Sequence, residues 1–554
     1  MGTTLLRAGK VVDGTGNRAF DGHILVEGDC IKAVLKEKEA LPPADTVIDA
    51  TGCVIAPGFI DVHSHLDWLL PLYDHPQLLK RLLEQGITTM VGGNCGCSPA
   101  PVTAESVGLM DTFGVVMACI SKPFDYDWRS MGQFLDRIEE IRPIVNLTQL
   151  VGHGTVRIAA ATTRRGAMRP DEMKNCLDTV ERSFNEGACG LSFGLGYEPG
   201  MYSPNEEIEA FSAVAAKAKK PVAVHLKSYS KLSAAYSPPF FKPHKLPSHF
   251  RPHNLRALEE MIDVARHTKT ALQISHLILV SPKTWPTAEE CLRMIEDVHS
   301  EGIDIMTDAY PYTCNNGTIV ASLPPWFIAK LPEAYKSWWA RTRFRAENAI
   351  AFPLMSYSYK YLQVMDTAVE GWESLSGLTI DEVAREWKMS PSEALLKLSE
   401  SSRGAALLLY HGFSGEPGNE QALESVLSHE LCLFETDVTI RSKGYPNPAG
   451  LGTFPKILGY YVRERNLFSI ENAIKRMTSA SADRFGLKDR GRLEPGKAAD
   501  IVIFDPQTIS ETPPVGTKPA GKPVGIHHVF LNGMQVVKDG SYVDGRRAGR
   551  VLRR

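Results

Sequence analysis

The stretch APGFIDVHSHLDW, residues 56–68, runs from an apolar segment straight into two histidines, His63 and His65, one residue apart. Read as the end of a buried strand, alternate side chains share a face. His63 and His65 then project together while Val62 and Ser64 point away. Two neutral imidazoles about 6–7 Å apart along a strand can chelate one cation. An isolated His-x-His is more often a pair of polar residues at a loop entrance, so the rest of the chain has to decide.

Outward from this stretch, apolar strand patterns alternate with helical ones. The strand candidates are ITTMVGGNC, VNLTQLVGHG, GACGLSFGL, PVAVHLKS, TALQISHLIL, IDIMTDAYPY and LCLFETDVT. Amphipathic stretches such as PDEMKNCLDTVERSFNEG, NEEIEAFSAVAAKAKK and TAEECLRMIEDVHSEG lie between several of them. With the strand that ends at His63 the tally is eight, which predicts an α/β fold, a distorted (β/α)8 TIM-like barrel, over residues 62–480. Both ends of the chain read as short β segments, with an Asn-Gly hairpin signal in LNGMQVV. Residues 1–61 and 481–554 are therefore expected to pair into one small β-sandwich domain. Two stretches break the rhythm. Residues 228–253 are rich in Pro and aromatics, and residues 317–400 carry Trp326, Trp338, Trp339, Trp372 and Trp387. Insertions of this length are lids or small subdomains about as often as they are surface decoration.

Composition narrows the class. A chain of 554 residues supports a large core and more than one structural unit. A formal charge of −3 and a pI near 6.6 speak against a nucleic-acid or anionic-membrane partner. MGTTLLRAGKVVDGTG has no apolar h-region behind a basic start, and no run of about 18 apolar residues follows anywhere. The 10 cysteines form no regular framework and are expected to be reduced thiols in a cytoplasmic protein.

In a barrel the site is built at the C-terminal ends of the strands. The candidate strand ends carry His63, His65, Cys95, His225, His276 and Asp437. Each alone has an ordinary explanation; six metal-capable or proton-transfer residues at strand termini do not. Imidazole and thiolate suit Zn²⁺, which lowers the pKa of a bound water towards about 7. A thiolate has further lone pairs, so Cys95 can bridge two ions. Asp437 can take a proton from water and deliver it to a leaving group. The combination predicts metal-assisted hydrolysis. Cys97 points away by alternation, or lies in the turn, and is not expected among the ligands.

The sequence resembles the amidohydrolase superfamily, in its D-aminoacylase (N-acyl-D-amino-acid deacylase) branch. The motifs that carry the resemblance are PGFIDVHSHLDW, GITTMVGGNCGCSPAP, LVGHGTVR, GLSFGLGYEPGMYS, VHLKS, LQISHL, DAYPY, GTFPKILG and RGRLEPGKAADIVIFD. Carried over residue by residue, it implies zinc ligands at His63, His65, Cys95, His225 and His276, with Cys95 bridging and Asp437 as acid/base. It implies one tightly bound zinc at the Cys–His–His site and leaves a second open. Tyr197 and Tyr310 match tyrosines near the acyl pocket. Two cations that clamp a substrate carboxylate in such enzymes are replaced here by Ile278 and Ala449, and the usual HxRxE after the first ligand histidine reads HLKSYS, with Lys227. Lys227, Arg441 or Lys443 would have to substitute, or the substrate is a bulky hydrophobic or aromatic amide walled by Tyr236, Phe240, Phe241 and Phe250. The expected partner is thus a small-molecule amide, with a homo-oligomer left open. A hydrolase of cyclic amides or ureides is the alternative within enzymes, and a non-catalytic binding barrel the alternative outside them.

Overall fold

The computed structural model of the protein describes residues 2–118, 125–163, 165–233, 236, 251–440, 443–513 and 521–554. Phe240, Phe241, Phe250 and Arg441 lie outside the described residues.

Eight parallel strands form the barrel sheet: Phe59–Asp61, Ile87–Gly92, Asn146–Gly152, Gly190–Gly194, Val222–His225, Leu272–Ile274, Ile305–Ala309 and Cys432–Phe434, neighbours in chain order. Their interiors are buried on both faces, polar residues such as Thr89, Asn146, Gln149, Ser192 and Gln273 included, so no strand shows the apolar-in, polar-out alternation of a half-exposed sheet. The register is direct: Val222 stands beside Leu191 on one side and Leu272 on the other, and Leu272 beside Ile305. Amphipathic helices return the chain between strands. In Pro170–Asn185, Cys176, Thr179, Val180, Ser183 and Phe184 form the buried stripe. Proline opens that helix, Asp171 and Glu172 sit in its first turn, and Gly187 at φ +114° lies just beyond its end.

The first and last barrel strands share no ladder among the described residues. A side chain joins them. Asp61 accepts from the Thr436 backbone N–H (3.0 Å), from the Thr436 hydroxyl (2.6 Å) and from the His63 N–H (3.3 Å). The Asp437 N–H also donates to the His63 carbonyl at 2.9 Å. Burial pushes the Asp61 carboxyl up to about 7, against the pull of the Thr436 and His63 bonds. Thr436→Val removes the hydroxyl donor and leaves one carboxylate oxygen without it. We expect a loss of about 1–3 kcal/mol in denaturant unfolding; an unchanged midpoint would show that this seam is not a stabilising contact.

A second, nine-stranded sheet takes strands from both ends of the chain. Ile501–Phe504 is its hinge element, antiparallel to Val54–Pro57 on one side and to Ile526–Leu531 on the other. Leu6, Ile24, Ile55, Ile501 and Phe530 are among its core. The hairpin turn at Asn532 (φ +47°) and Gly533 (φ +79°) has both central residues left-handed, as a type I′ turn requires. Between barrel strands seven and eight, a three-stranded antiparallel sheet (Cys314–Thr318, Leu407–His411, Leu362–Asp366) carries its own core around Phe327, Phe344, Leu395 and Leu408. Trp372 and Trp387 pack edge to face within this insertion, while Trp338 and Trp339 stand exposed on it. No described helix is long and apolar enough to cross a membrane.

Candidate metal centre

His63 and His65 lie just beyond the first strand, which ends at Asp61, so a bend rather than strand alternation aims them. Their rings still meet, with centroids 5.4 Å apart. Cys95 sits in the GGNCG turn after the second strand. Gly93 (φ +74°) and Gly96 (φ +72°) flank it, and a Cβ at Gly93 would fall 2.1 Å from the Leu150 carbonyl oxygen. Only glycine allows the turn to press against the next strand. Cys95 (φ +55°), His276 (φ +32°) and Asp437 (φ +44°) are themselves left-handed. Backbone strain of this kind in non-glycine residues concentrates at functional sites.

These turns bring all six candidates together. The Cys95 Sγ lies 3.2 Å from His63 Nε2, 3.5 Å from His276 Nε2 and 3.8 Å from His225 Nδ1. His225 Nδ1 and His276 Nε2 are 3.0 Å apart. On the other side Asp437 Oδ1 is 3.5 Å from His63 Nε2 and 3.4 Å from His65 Nε2. The triplets His63–His65–Cys95, Cys95–His225–His276 and His63–His276–Asp437 each hold their ligand atoms within 4.8 Å of one another. Ligand atoms on a tetrahedral zinc stand roughly 3.3–3.6 Å apart, given bond lengths of about 2.0–2.3 Å. The spacing suits that ion.

The electrostatics agree. Burial, with His276 alongside, pushes His225 well down, and burial takes His276 to about 4, so both rings are the neutral, ligating form. Burial would depress His63 too, but Asp308, Asp437 and Asp61 outweigh it and raise it, so the field at this point favours positive charge. Burial, with Asp437 and Cys97 near, pushes the Cys95 thiol far above its ordinary value. It becomes a thiolate only where a cation offsets that cost. Burial also opposes ionisation of Asp437, yet His276, His65 and His63 prevail and hold its carboxyl below the usual carboxylate range.

The remaining candidates divide. Tyr197 is occupied: its hydroxyl donates to the Cys95 carbonyl. The Tyr310 hydroxyl is buried with no hydrogen-bond partner among the described residues. Ile278 and Ala449 pack into one apolar cluster with Tyr310, Tyr312, Met365 and Tyr445. Lys227 turns to Glu260 at 3.5 Å, beside Tyr236, whose hydroxyl donates to the same carboxylate at 2.9 Å. Lys443 is exposed. The Cys97 thiol lies in the turn and donates to the Cys95 carbonyl at 3.0 Å.

Four neighbours of the site were not singled out by sequence. Asp308 accepts from the His276 N–H and the Gln273 side chain, both at 2.6 Å, and faces His63 Nδ1 at 3.6 Å. Tyr229 packs against the His225 and His276 rings, its hydroxyl donating to the Ser275 carbonyl at 2.9 Å. Glu435 is fully buried with neither oxygen partnered among the described residues; burial and the nearby Asp437, Asp308 and Asp61 push its pKa well up. Asn315 donates from Nδ2 to Asp437 Oδ2 at 2.9 Å. Position in the DAYPY motif could have flagged Asp308; nothing local marks the others.

Comparison with known proteins places this geometry. The sequence pattern of the amidohydrolase family matches residues 46–312 and 440–543. N-acyl-D-glutamate deacylase of Alcaligenes xylosoxydans xylosoxydans is 28% identical over 556 residues, covering 99% of this chain and 96% of the relative. The crystal structure of N-acyl-D-glutamate deacylase from Bordetella bronchiseptica, complexed with zinc and a phosphonate mimic of the tetrahedral intermediate, superposes with a TM-score of 0.78 at 26% identity, covering 100% of this chain and 99% of that one. A D-aminoacylase described with a binuclear metal centre gives a TM-score of 0.79 at 27% identity, each chain covered in full, 100%.

Proposed function

This chain belongs to the amidohydrolase family, and from that premise we propose that it is a zinc-dependent hydrolase of linear N-acyl amides, acting on carbon–nitrogen bonds other than peptide bonds. One observation carries the reading: a single buried thiol stands 3.2–3.8 Å from three imidazoles, with Asp437 on the far side of two histidines. Cys95, His225 and His276 would hold one zinc, and His63 and His65 a second that shares the Cys95 thiolate. Zinc bound there supplies Lewis acidity towards water and an amide carbonyl.

The chain's own groups do the rest. Asp437, held ionised, takes a proton from the attacking water and returns it to the departing nitrogen. Tyr310, whose pKa burial pushes well up, keeps its proton and can donate to the carbonyl oxygen as charge develops there. Asp308 fixes the backbone at His276 and faces His63, and Tyr197 fixes the turn that carries Cys95. The linear-amide reading is preferred over a cyclic one because relatives matched along the whole chain are deacylases.

The substrate end differs from those relatives. The two positions where the resemblance leads one to expect cations are apolar neighbours in one cluster, and Lys227 is neutralised by Glu260. The favoured substrate therefore carries an apolar group where an N-acyl-D-amino acid carries its carboxylate. Each charge-assisted contact missing from such a clamp weakens a carboxylate substrate by about 1.5–3 kcal/mol. A panel of N-acetyl-D-leucine, N-acetyl-D-glutamate, N-acetyl-L-leucine and neutral anilides such as acetanilide tests this. We expect kcat/KM to be highest for a neutral apolar amide. If an acetylated D-amino acid is turned over faster than every neutral amide, and needs its carboxylate, the apolar reading fails while the hydrolase stands.

A further inference from the structure

The inserted sheet between barrel strands seven and eight reaches the metal centre. Among the described residues its edge strand Cys314–Thr318 pairs with Leu407–His411 alone, and Asn316 on it reaches Thr439 in the segment that follows Asp437. Asn315 Nδ2 donates to Asp437 Oδ2 at 2.9 Å. Asn315 Oδ1 in turn accepts from the Asn316 backbone N–H (2.7 Å) and from Asn447 Nδ2 (2.5 Å). Asn447 Nδ2 also donates to Asn316 Oδ1 at 2.6 Å, and its own Oδ1 accepts from the Ala449 N–H at 3.0 Å. Asn316 Nδ2 closes the set by donating to Thr439 Oγ1 at 2.6 Å.

Amide oxygen and nitrogen look alike in shape, so their assignment has to come from partners. Here it does. A backbone N–H can only donate, so the Asn316 N–H fixes Oδ1 of Asn315, and the Ala449 N–H fixes Oδ1 of Asn447. The Asn315 amide must then present its N–H₂ to Asp437. That carboxylate is thereby divided: Oδ2 is engaged by Asn315, while Oδ1 faces His63 and His65. Asn315 and Asn447 are buried, 2% and 3% exposed, so water does not compete for these bonds.

We propose that Asn315 and Asn447 are positioning residues for Asp437, an amide relay through which the inserted sheet sets the orientation of the acid/base. This rests on the reading of Asp437 given above. The relay has a second consequence for the insertion: a sheet with its own core contributes a residue that touches the catalytic carboxylate, so it is part of the catalytic apparatus rather than an ornament.

The test compares Asn315→Ala, Asn315→Asp and Asn447→Ala in the full chain, with Asp437→Asn as reference. The readouts are kcat and KM on the best amide of the panel, bound zinc, zinc affinity by chelator competition, and the visible spectrum of the cobalt-substituted protein. Asn315→Ala should lower kcat about 10- to 100-fold, and Asn447→Ala, one bond further out, roughly 3- to 10-fold. KM and zinc content should hold, and the cobalt spectrum should change as Oδ1 loses its fixed aim. Asn315→Asp keeps the shape but replaces the donor by an acceptor, so it should be no better than Asn315→Ala. Near-native kcat in Asn315→Asp, or in both alanine variants, overturns the relay; if Asn315→Ala does not fold, Asn447→Ala alone decides on the same criterion. Near-native turnover in Asp437→Asn instead removes the acid/base reading itself.

Discussion

Asp437→Asn will keep its zinc and lose turnover by roughly 10²-fold to 10⁴-fold, the range typical of a lost general acid/base. The substitution changes little else. Asparagine is isosteric and, with aspartate, is among the residues that best tolerate the left-handed backbone found at Asp437 (φ +44°). The Asp437 N–H still donates to the His63 carbonyl, so the end of the eighth strand stays where it is. What disappears is proton acceptance. The wild-type carboxyl is held ionised by His276, His65 and His63 against its burial, whereas a carboxamide cannot take a proton near neutral pH. Metal analysis beside kcat separates the two roles. Turnover within a few-fold of native would remove Asp437 from the chemistry.

Cys95→Ala should do the opposite and strip the metal. Its Sγ is within 3.8 Å of His63, His225 and His276, and no other described thiol reaches those rings. The loss should exceed the roughly 10- to 100-fold in metal affinity that removing a mere hydrogen-bond partner of a ligand costs. Activity should fall with it. Cys97→Ala is the control, since that thiol faces the Cys95 carbonyl and the Tyr197 hydroxyl and none of the histidine rings. Zinc retained by Cys95→Ala but lost by Cys97→Ala would mean the ligand had been assigned to the wrong cysteine.

Much of this architecture is legible in the sequence because parallel barrel strands, buried on both faces, leave runs free of charged residues such as VNLTQLVG and PVAVH. The candidate ligands are legible for a related reason: each follows such a run by a few residues, where a barrel builds its site. The relay through Asn315 and Asn447 is not, because it joins an edge strand of an insertion to a loop 132 residues further along, and asparagine in a loop has many local explanations. Glu435 is hidden for a simpler reason. A carboxylate between Phe434 and Thr436 reads as solvated until the packing shows that it is buried. Lys227 reads as a free cation for want of Glu260, which the helix after its own strand supplies. The sequence pattern predicts strand alternation for the His-x-His pair, but the strand stops at Asp61 and a bend performs the same aiming.

The nine-stranded sheet also sets an order of events during synthesis. Val54–Pro57 leads straight into the first barrel strand, yet its partner Ile501–Phe504 is made only after the last one. Until then Val54–Pro57, which pairs with Thr3–Val11 on one side, has its other side open where Ile501–Phe504 will insert. An open apolar edge is a template for pairing with other chains, and contacts this distant in sequence form slowly. The vulnerable period of this protein is therefore the interval between making Val54–Pro57 and making Ile501–Phe504, when a nascent-chain chaperone has the most to shield.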